Sequence, residues 1–363
     1  MIGERLKLAR AAAGLSLRGL EEKIGNLVTA QAIGKYERNE AMPGSRVLIA
    51  LARALDVSED YLVGDREAVL EEVEFRKKSI ASRKEEAQVE AKALHLLERY
   101  LLVEELLGLP SVDWDQPREA PYPVHEVSEA DRAAQSLRQH WGLGIDPIPN
   151  LVELLEERGI KVLVIDLAET IDGLTARARR VGKPAAPVIV LNRRHAGERQ
   201  RFTLAHEVGH MMIQAGRGVD AEKAAHRFAG AFLMPVEALW AEIGKHRRRA
   251  GWSELFDLKR LFGVSVQAIT YRCKDLGIFG EGEYRRLFAE FSRRGWRSPP
   301  FPEPHPIAAE TPKRFERLCF RALAEGAISE AKAAELLGMS VRRLNELMED
   351  PKAEPDEPGP RPA

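Results

Sequence analysis

Cysteine is nearly missing from this sequence: Cys273 and Cys319 are the two it has. They are too few and too far apart for a disulfide framework or a cysteine-rich zinc site, and such sparing use fits a reducing compartment. No apolar run approaches the length of a membrane span. The chain starts Met1-Ile2-Gly3-Glu4-Arg5, a charged amphipathic pattern rather than the apolar core of a secretory signal. Membrane insertion and secretion are therefore disfavoured, and a cytoplasmic location is expected. An excess of one charge is also lacking. A formal net charge of −1 gives no global pull toward nucleic acid, so any DNA contact has to be local. No repeat of solenoid type is visible.

What is present is length and apolar content. With 363 residues, 44% of them hydrophobic, the chain can bury two or three cores. Residues 1–65 read as five short helices, with Ser16, Thr29 and Ser58 as caps and Ser45 opening the fourth. Residues 66–110 read as a short strand near Val73 and a long linker helix, a solvated spacer with one apolar face. Pro110 to Pro123 reads as a linker. A further domain is expected over 124–248. Its helices run from Ser128 to Trp141 and from Asn150 to Arg158, its strands are Lys161–Ile165 and Pro187–Leu191, and Asp172-Gly173 marks a tight turn between the strands. A helical extension follows over 249–297. A Pro-rich bridge, Ser298 to Pro312, leads to a helical unit over 312–350, in which Ser329 and Ser340 are caps, and then to a disordered tail, 351–363.

The chemistry concentrates at His206-Glu207-Val208-Gly209-His210. Histidines four apart on a helix project from one face, about one turn from each other, and can grip one zinc ion. Glu207 lies about 100° around the helix, where its carboxylate can exchange protons beside the open coordination position. The lead-in Phe202-Thr203-Leu204-Ala205 and the continuation Met211-Met212-Ile213 supply the apolar helix this motif requires. A catalytic site needs a third protein ligand. Glu222 is the choice, with His226, one turn further along, as pocket residue or alternative ligand.

The stretch Arg199 to His210, with Glu222, Phe228-Ala229 and Phe232-Leu233-Met234-Pro235, resembles the ImmA/IrrE family of bacterial and phage metallopeptidases. Asp172-Gly173-Leu174-Thr175 and Val188-Ile189-Val190-Leu191-Asn192 are similar to its strand-turn-strand segment. The resemblance runs from about Ser128 to Pro235. It implies His206, His210 and Glu222 as ligands of one Zn2+ per chain, Glu207 as catalytic base, and a helix-turn-helix repressor as the protein cut, inducing stress or mobile-element genes. His226 departs from it, since such sequences often carry Asn there. Val188, Ile189, Val190, Leu191 and Asn192 offer an edge strand that would pair with an extended substrate, or else an ordinary buried strand.

Residues 1–64 resemble the Cro and lambda-repressor type of helix-turn-helix through Arg5-Leu6-Lys7, Gly14-Leu15-Ser16, Ile33, Tyr36-Glu37-Arg38 and Pro43. The resemblance makes the helix after Thr29 the recognition helix, placing Ala30, Gln31 and Lys35 at the major groove. Gln31 is suited to adenine. Arg38 and the early basic residues are expected on phosphates. The turn Gly25-Asn26-Leu27-Val28 is about two residues longer than that pattern. The candidate DNA contacts are thus Thr29, Ala30, Gln31, Lys35 and Arg38, and useful affinity for a double-stranded operator calls for a homodimer. The expected fold is mostly α: a five-helix helix-turn-helix domain, then a small α+β, zincin-like peptidase domain. The expected function is a DNA-binding regulator with a zinc-dependent endopeptidase. The alternative is a transcription regulator or antitoxin whose zinc domain is a sensor or dimerisation module that cleaves nothing.

Overall fold

The computed structural model describes residues 2–64, 68–77, 81–109, 114–180, 183–298 and 301–350. The tail expected to be disordered lies outside the described residues. The described residues are mostly helical, with one four-stranded and one two-stranded sheet. The first 64 residues form five helices, α1 (Ile2–Ala12), α2 (Leu17–Lys23), α3 (Ala30–Glu37), α4 (Ser45–Leu55) and α5 (Glu59–Val63). Ser16, Thr29 and Ser58 accept from the backbone three residues on, as good N-caps do. Leu6, Leu20, Ile33, Leu51 and Leu62 are fully buried in a core of their own.

Strand β1 (Ala68–Lys77) and the long helix α6 (Arg83–Leu106) follow. Ser82 and Glu85 form a capping box that starts α6 sharply. This helix is no solvated spacer. Leu94, Leu97 and Leu101 pack on the sheet, while Tyr100 and Val103 join a C-terminal core. Glu98 pairs with buried Arg5 of α1, and Glu104 with buried Lys161 at 2.5 Å. Burying several faces at once, α6 ties the N-terminal bundle to everything behind it.

The central domain contains β2 (Tyr122–Val124), α7 (Ala130–His140), α8 (Leu151–Glu157), β3 (Lys161–Ile165), β4 (Ile171–Arg180), β5 (Lys183–Asn192), α9 (Gly197–Met212), β6 (Ile213–Ala215) and α10 (Ala221–Leu233). The main sheet has the order β1-β4-β5-β3; β1 and β5 run antiparallel to β4, and β3 runs parallel to β5. Alternate residues of β5 enter opposite cores: Val188 and Val190 face α6, while Ile189 and Leu191 join the core of α7 to α10. Of the two readings of Val188–Asn192 the buried strand holds, and the turn expected at Asp172-Gly173 is overturned. Val188–Asn192 is no edge strand, because β4 and β3 pair with both of its sides, and buried Asn192 donates from Nδ2 to the Ile171 carbonyl (3.0 Å). Asp172-Gly173 is no turn either; it lies within β4, where a Cβ on Gly173 would sit 2.4 Å from the Val190 carbonyl oxygen. Close strand approach, not reversal of the chain, is what this glycine serves. The segment read as a linker also holds a strand: β2 pairs in parallel with β6.

Helices α11 (Val236–Ile243), α12 (Trp252–Phe262), α13 (Val266–Asp275) and α14 (Glu281–Arg293) complete that core. The Pro-rich segment then returns across the domain. A Cβ on Gly197 would collide with the carbonyls of Ile307 and Ala308, Glu310 pairs with buried Arg201, and Glu303 accepts from Lys259 Nζ at 2.7 Å. Finally α15 (Arg314–Ala324), α16 (Glu330–Leu337) and α17 (Val341–Glu349) pack beside α6 around Leu318, Cys319 and Leu344, with Ser329 and Ser340 as caps. Among the described residues no helix is long and apolar enough to cross a membrane.

Candidate metal centre and DNA-binding face

Helix α9 carries His206, Glu207 and His210, and α10 brings Glu222 to them. Gly209 makes this possible. A Cβ there would lie 3.1 Å from the Phe228 ring and 3.2 Å from the Ala225 carbonyl, so a larger residue would push the helices apart. Asp220 caps α10 and fixes where its first turn, with Glu222, begins.

The three candidate donor atoms lie close together. His206 Nε2 is 2.9 Å from His210 Nε2 and 3.4 Å from Glu222 Oε2, and His210 Nε2 is 3.2 Å from Glu222 Oε1. Ligands at the usual zinc distance of about 2.0–2.1 Å in a tetrahedron stand about 3.3 Å apart. Two imidazoles and a carboxylate at these spacings fit a zinc ion, and among the described residues this is the one such cluster. His226 lies outside it, its ring edge-on to that of His206 with centroids 4.5 Å apart. Burial, assisted by the charge of Arg76, pushes the His206 imidazole down to about 2. Burial likewise lowers His210 and His226. Low values keep the rings neutral, the form that ligates metal.

Glu207 is nearly buried, its side chain 6% exposed. Burial pushes its carboxyl up to about 7, although the neighbouring Arg76 guanidinium opposes this. Such a value suits a group that both takes and returns a proton near neutral pH. Arg76 is the residue that sequence reasoning missed. It comes from β1, far from α9 in the chain; its Nε pairs with Glu207 Oε1, and its terminal nitrogen lies 3.5 Å from Glu222 Oε2. A single basic residue near the end of a strand carries no periodic signal that would have marked it.

A cleft of about 1060 Å³, lined by Phe202, Lys223, His226, Tyr271 and Phe288 and not by the three donors or Glu207, lies beside the centre, with His226 between it and the His206 ring. Under it, Asp131 accepts from both Arg227 and Arg272 (2.8 and 2.7 Å), fastening α10 to α7 and α13.

On the N-terminal bundle, Thr29, Gln31 and Lys35 are exposed and Ala30 is half-buried along α3. The Thr29 hydroxyl is engaged as the cap, accepting from Ala32 N at 3.2 Å. Arg38 is exposed and held by Glu40 at 2.7 and 2.9 Å. The expectation that the early basic residues grip phosphate fails for two of them. Arg5 is buried against Glu98, and Arg10 is a bidentate partner of Glu37 (2.6 and 2.8 Å). Lys7 is exposed.

Comparison with known proteins agrees with both ends of the chain. Residues 6–62 match the helix-turn-helix family and residues 155–274 the IrrE N-terminal-like domain of the M78 peptidases. Over 63 residues the chain is 40% identical to the SPbeta prophage-derived uncharacterized HTH-type transcriptional regulator YonR of Bacillus subtilis, a match spanning 17% of this chain and 56% of that regulator. No solved structure matches. The chain thus joins a helix-turn-helix domain to a domain of the M78, IrrE-like metallopeptidase family.

Proposed function

We propose that the protein is a DNA-binding regulator with a zinc-dependent endopeptidase, and that its substrate is another helix-turn-helix repressor. The observation that carries this reading is the set of three donor atoms at tetrahedral spacing with Glu207 beside them. In this reading His206, His210 and Glu222 hold the ion and His226 shapes the wall of the cleft. When bound, zinc supplies Lewis acidity to the carbonyl under attack. Glu207 takes a proton on its carboxylate from the attacking water and delivers it to the departing amine. The cleft beside Phe202 and His226 receives a substrate side chain and keeps bulk water away from the scissile bond. Both functions suit the cytoplasm. The test is co-expression with helix-turn-helix repressors from the same genomic neighbourhood: specific cleavage by the intact chain is expected, and a chain that holds zinc yet cuts none of them would retire the peptidase.

The DNA-binding end carries its own expectation. We propose that a homodimer of the chain binds two operator half-sites through α3, with Gln31 reading a base and Lys35 adding positive charge at the groove. Gln31→Ala is expected to weaken the selected operator on the order of tenfold while leaving nonspecific DNA unaffected. Lys35→Ala is expected to weaken both and to lower the salt slope by about 1. Fluorescence anisotropy across a salt series measures both, and equal loss on all DNA for Gln31→Ala would remove that residue from base reading.

One observation favours the alternative of a regulator whose metal domain senses or dimerises without cutting: Arg76 engages both Glu207 and Glu222.

A further inference from the structure

Strand β1 belongs to the segment between the N-terminal bundle and α6, yet it lies along β4 as the outermost strand of the sheet. Take β1 away and β4 presents a row of unpaired backbone groups, which is how sheets capture extended peptides. Backbone pairing along β4 and the ion pairs Glu71–Arg179 and Glu72–Arg177 hold β1 in place, while few of its side chains are fully buried. Ala68 and Leu70 are buried, Val73 and Phe75 half-buried, and Val69 is 39% exposed.

Its register contains a device. Glu71 faces Arg177 and Glu74 faces Thr175, so three steps on β1 span two on β4, and Glu72 takes a φ of 50°, which L residues rarely adopt. The extra residue exchanges the faces of the strand. Before the bulge Ala68 and Leu70 point toward α6; after it Val73 and Phe75 do, which turns Glu74 and Arg76 to the other side. There Arg76 stands opposite Gly173, where no side chain blocks its way to α9. Its guanidinium ends between Glu207 and Glu222. A cation held by the proposed base and a proposed ligand competes with the metal for one carboxylate and occupies the other.

We propose that β1 is a removable plug: the edge of β4 is the docking strand for an extended segment of the protein substrate, and β1 fills it, with Arg76 clamped on Glu207 and Glu222, until it is displaced. The role given to substrate rests on the peptidase reading; the plug itself does not.

The experiment uses the full chain in three forms. Arg76→Gln releases the clamp, Arg76→Lys keeps the charge, and a Val69→Cys, Arg179→Cys pair, whose backbones face each other, pins β1 when oxidised. Zinc affinity is read by competition with a chromophoric chelator, and amide hydrogen exchange is followed over Ile171–Arg180. Arg76→Gln is expected to bind zinc about tenfold more tightly and to exchange β4 amides about tenfold faster, a change of about 1.4 kcal/mol in each equilibrium. Arg76→Lys is expected to stay near the unaltered chain. The oxidised pair is expected to slow that exchange and to silence repressor cleavage until a reductant is added. Unchanged zinc affinity and unchanged exchange in Arg76→Gln, or full cleavage by the oxidised pair, would overturn the plug. If affinity and exchange shift as stated while no form cuts a repressor, the plug stands and the peptidase reading falls.

Discussion

Replacing Glu207 by Gln is expected to leave zinc bound and to slow repressor cleavage about 1000-fold, within the range general acid–base groups contribute. The amide keeps the size of the side chain but cannot accept a proton and return it. Its position supports this division of labour. Glu207 is on the same helix as the two histidines, yet the donor cluster is completed by Glu222 and not by Glu207. Zinc content and cleavage rate should therefore separate in this variant. Loss of both together would mean that Glu207 holds the metal or the fold rather than the proton. Retained cleavage would mean that another group is the base.

A second large effect is expected far from any chemistry, at Lys259. Its side chain is fully buried, with Nζ 2.8 Å from Glu198 and 2.7 Å from Glu303. Glu198 lies in the first turn of α9 and accepts the Ile307 amide at 3.1 Å; Glu303 also accepts the Val266 amide at 2.9 Å. The ammonium thus joins α12, the start of α9 and the returning Pro-rich segment. Lys259→Met leaves two carboxylates buried without a cation, at a cost of about 3–5 kcal/mol. Burial already raises the Glu303 carboxyl, and Lys259 is the main group opposing it. Urea unfolding should show the loss, and adding Glu198→Gln and Glu303→Gln should restore part of it. A midpoint unmoved by Lys259→Met would show that the network adds nothing to holding α9.

Both effects separate what could be read from the sequence from what could not. Local signals were legible. Ser16, Thr29, Ser58, Ser329 and Ser340 start helices because a hydroxyl capping an N-terminus needs only its own next three residues. Histidines four apart on an uninterrupted apolar helix are local in the same sense. Pairing across the sheet was not. Leu174, Ala176 and Ala178 do alternate with polar residues along β4, but Asp172-Gly173 at its start looks like a hairpin turn, and that reading hid the strand. With β4 unseen, β5 could be read equally as an edge or as a buried strand. β2 and β6 have three residues each, too few for any period to register. Arg76 was the least legible. Its position depends on a bulge, on the glycine opposite and on a strand partner about a hundred residues away, none of which appears in the residues around it.

The most direct test of the metal centre is the zinc content of purified protein, measured by mass spectrometry for the unaltered chain and for His206→Ala, Glu222→Ala and His226→Ala. One zinc per chain, lost in the first two variants and kept in the third, is the predicted result. Zinc retained in His206→Ala and Glu222→Ala would contradict the centre, and loss in His226→Ala with retention in Glu222→Ala would move the third ligand to the histidine.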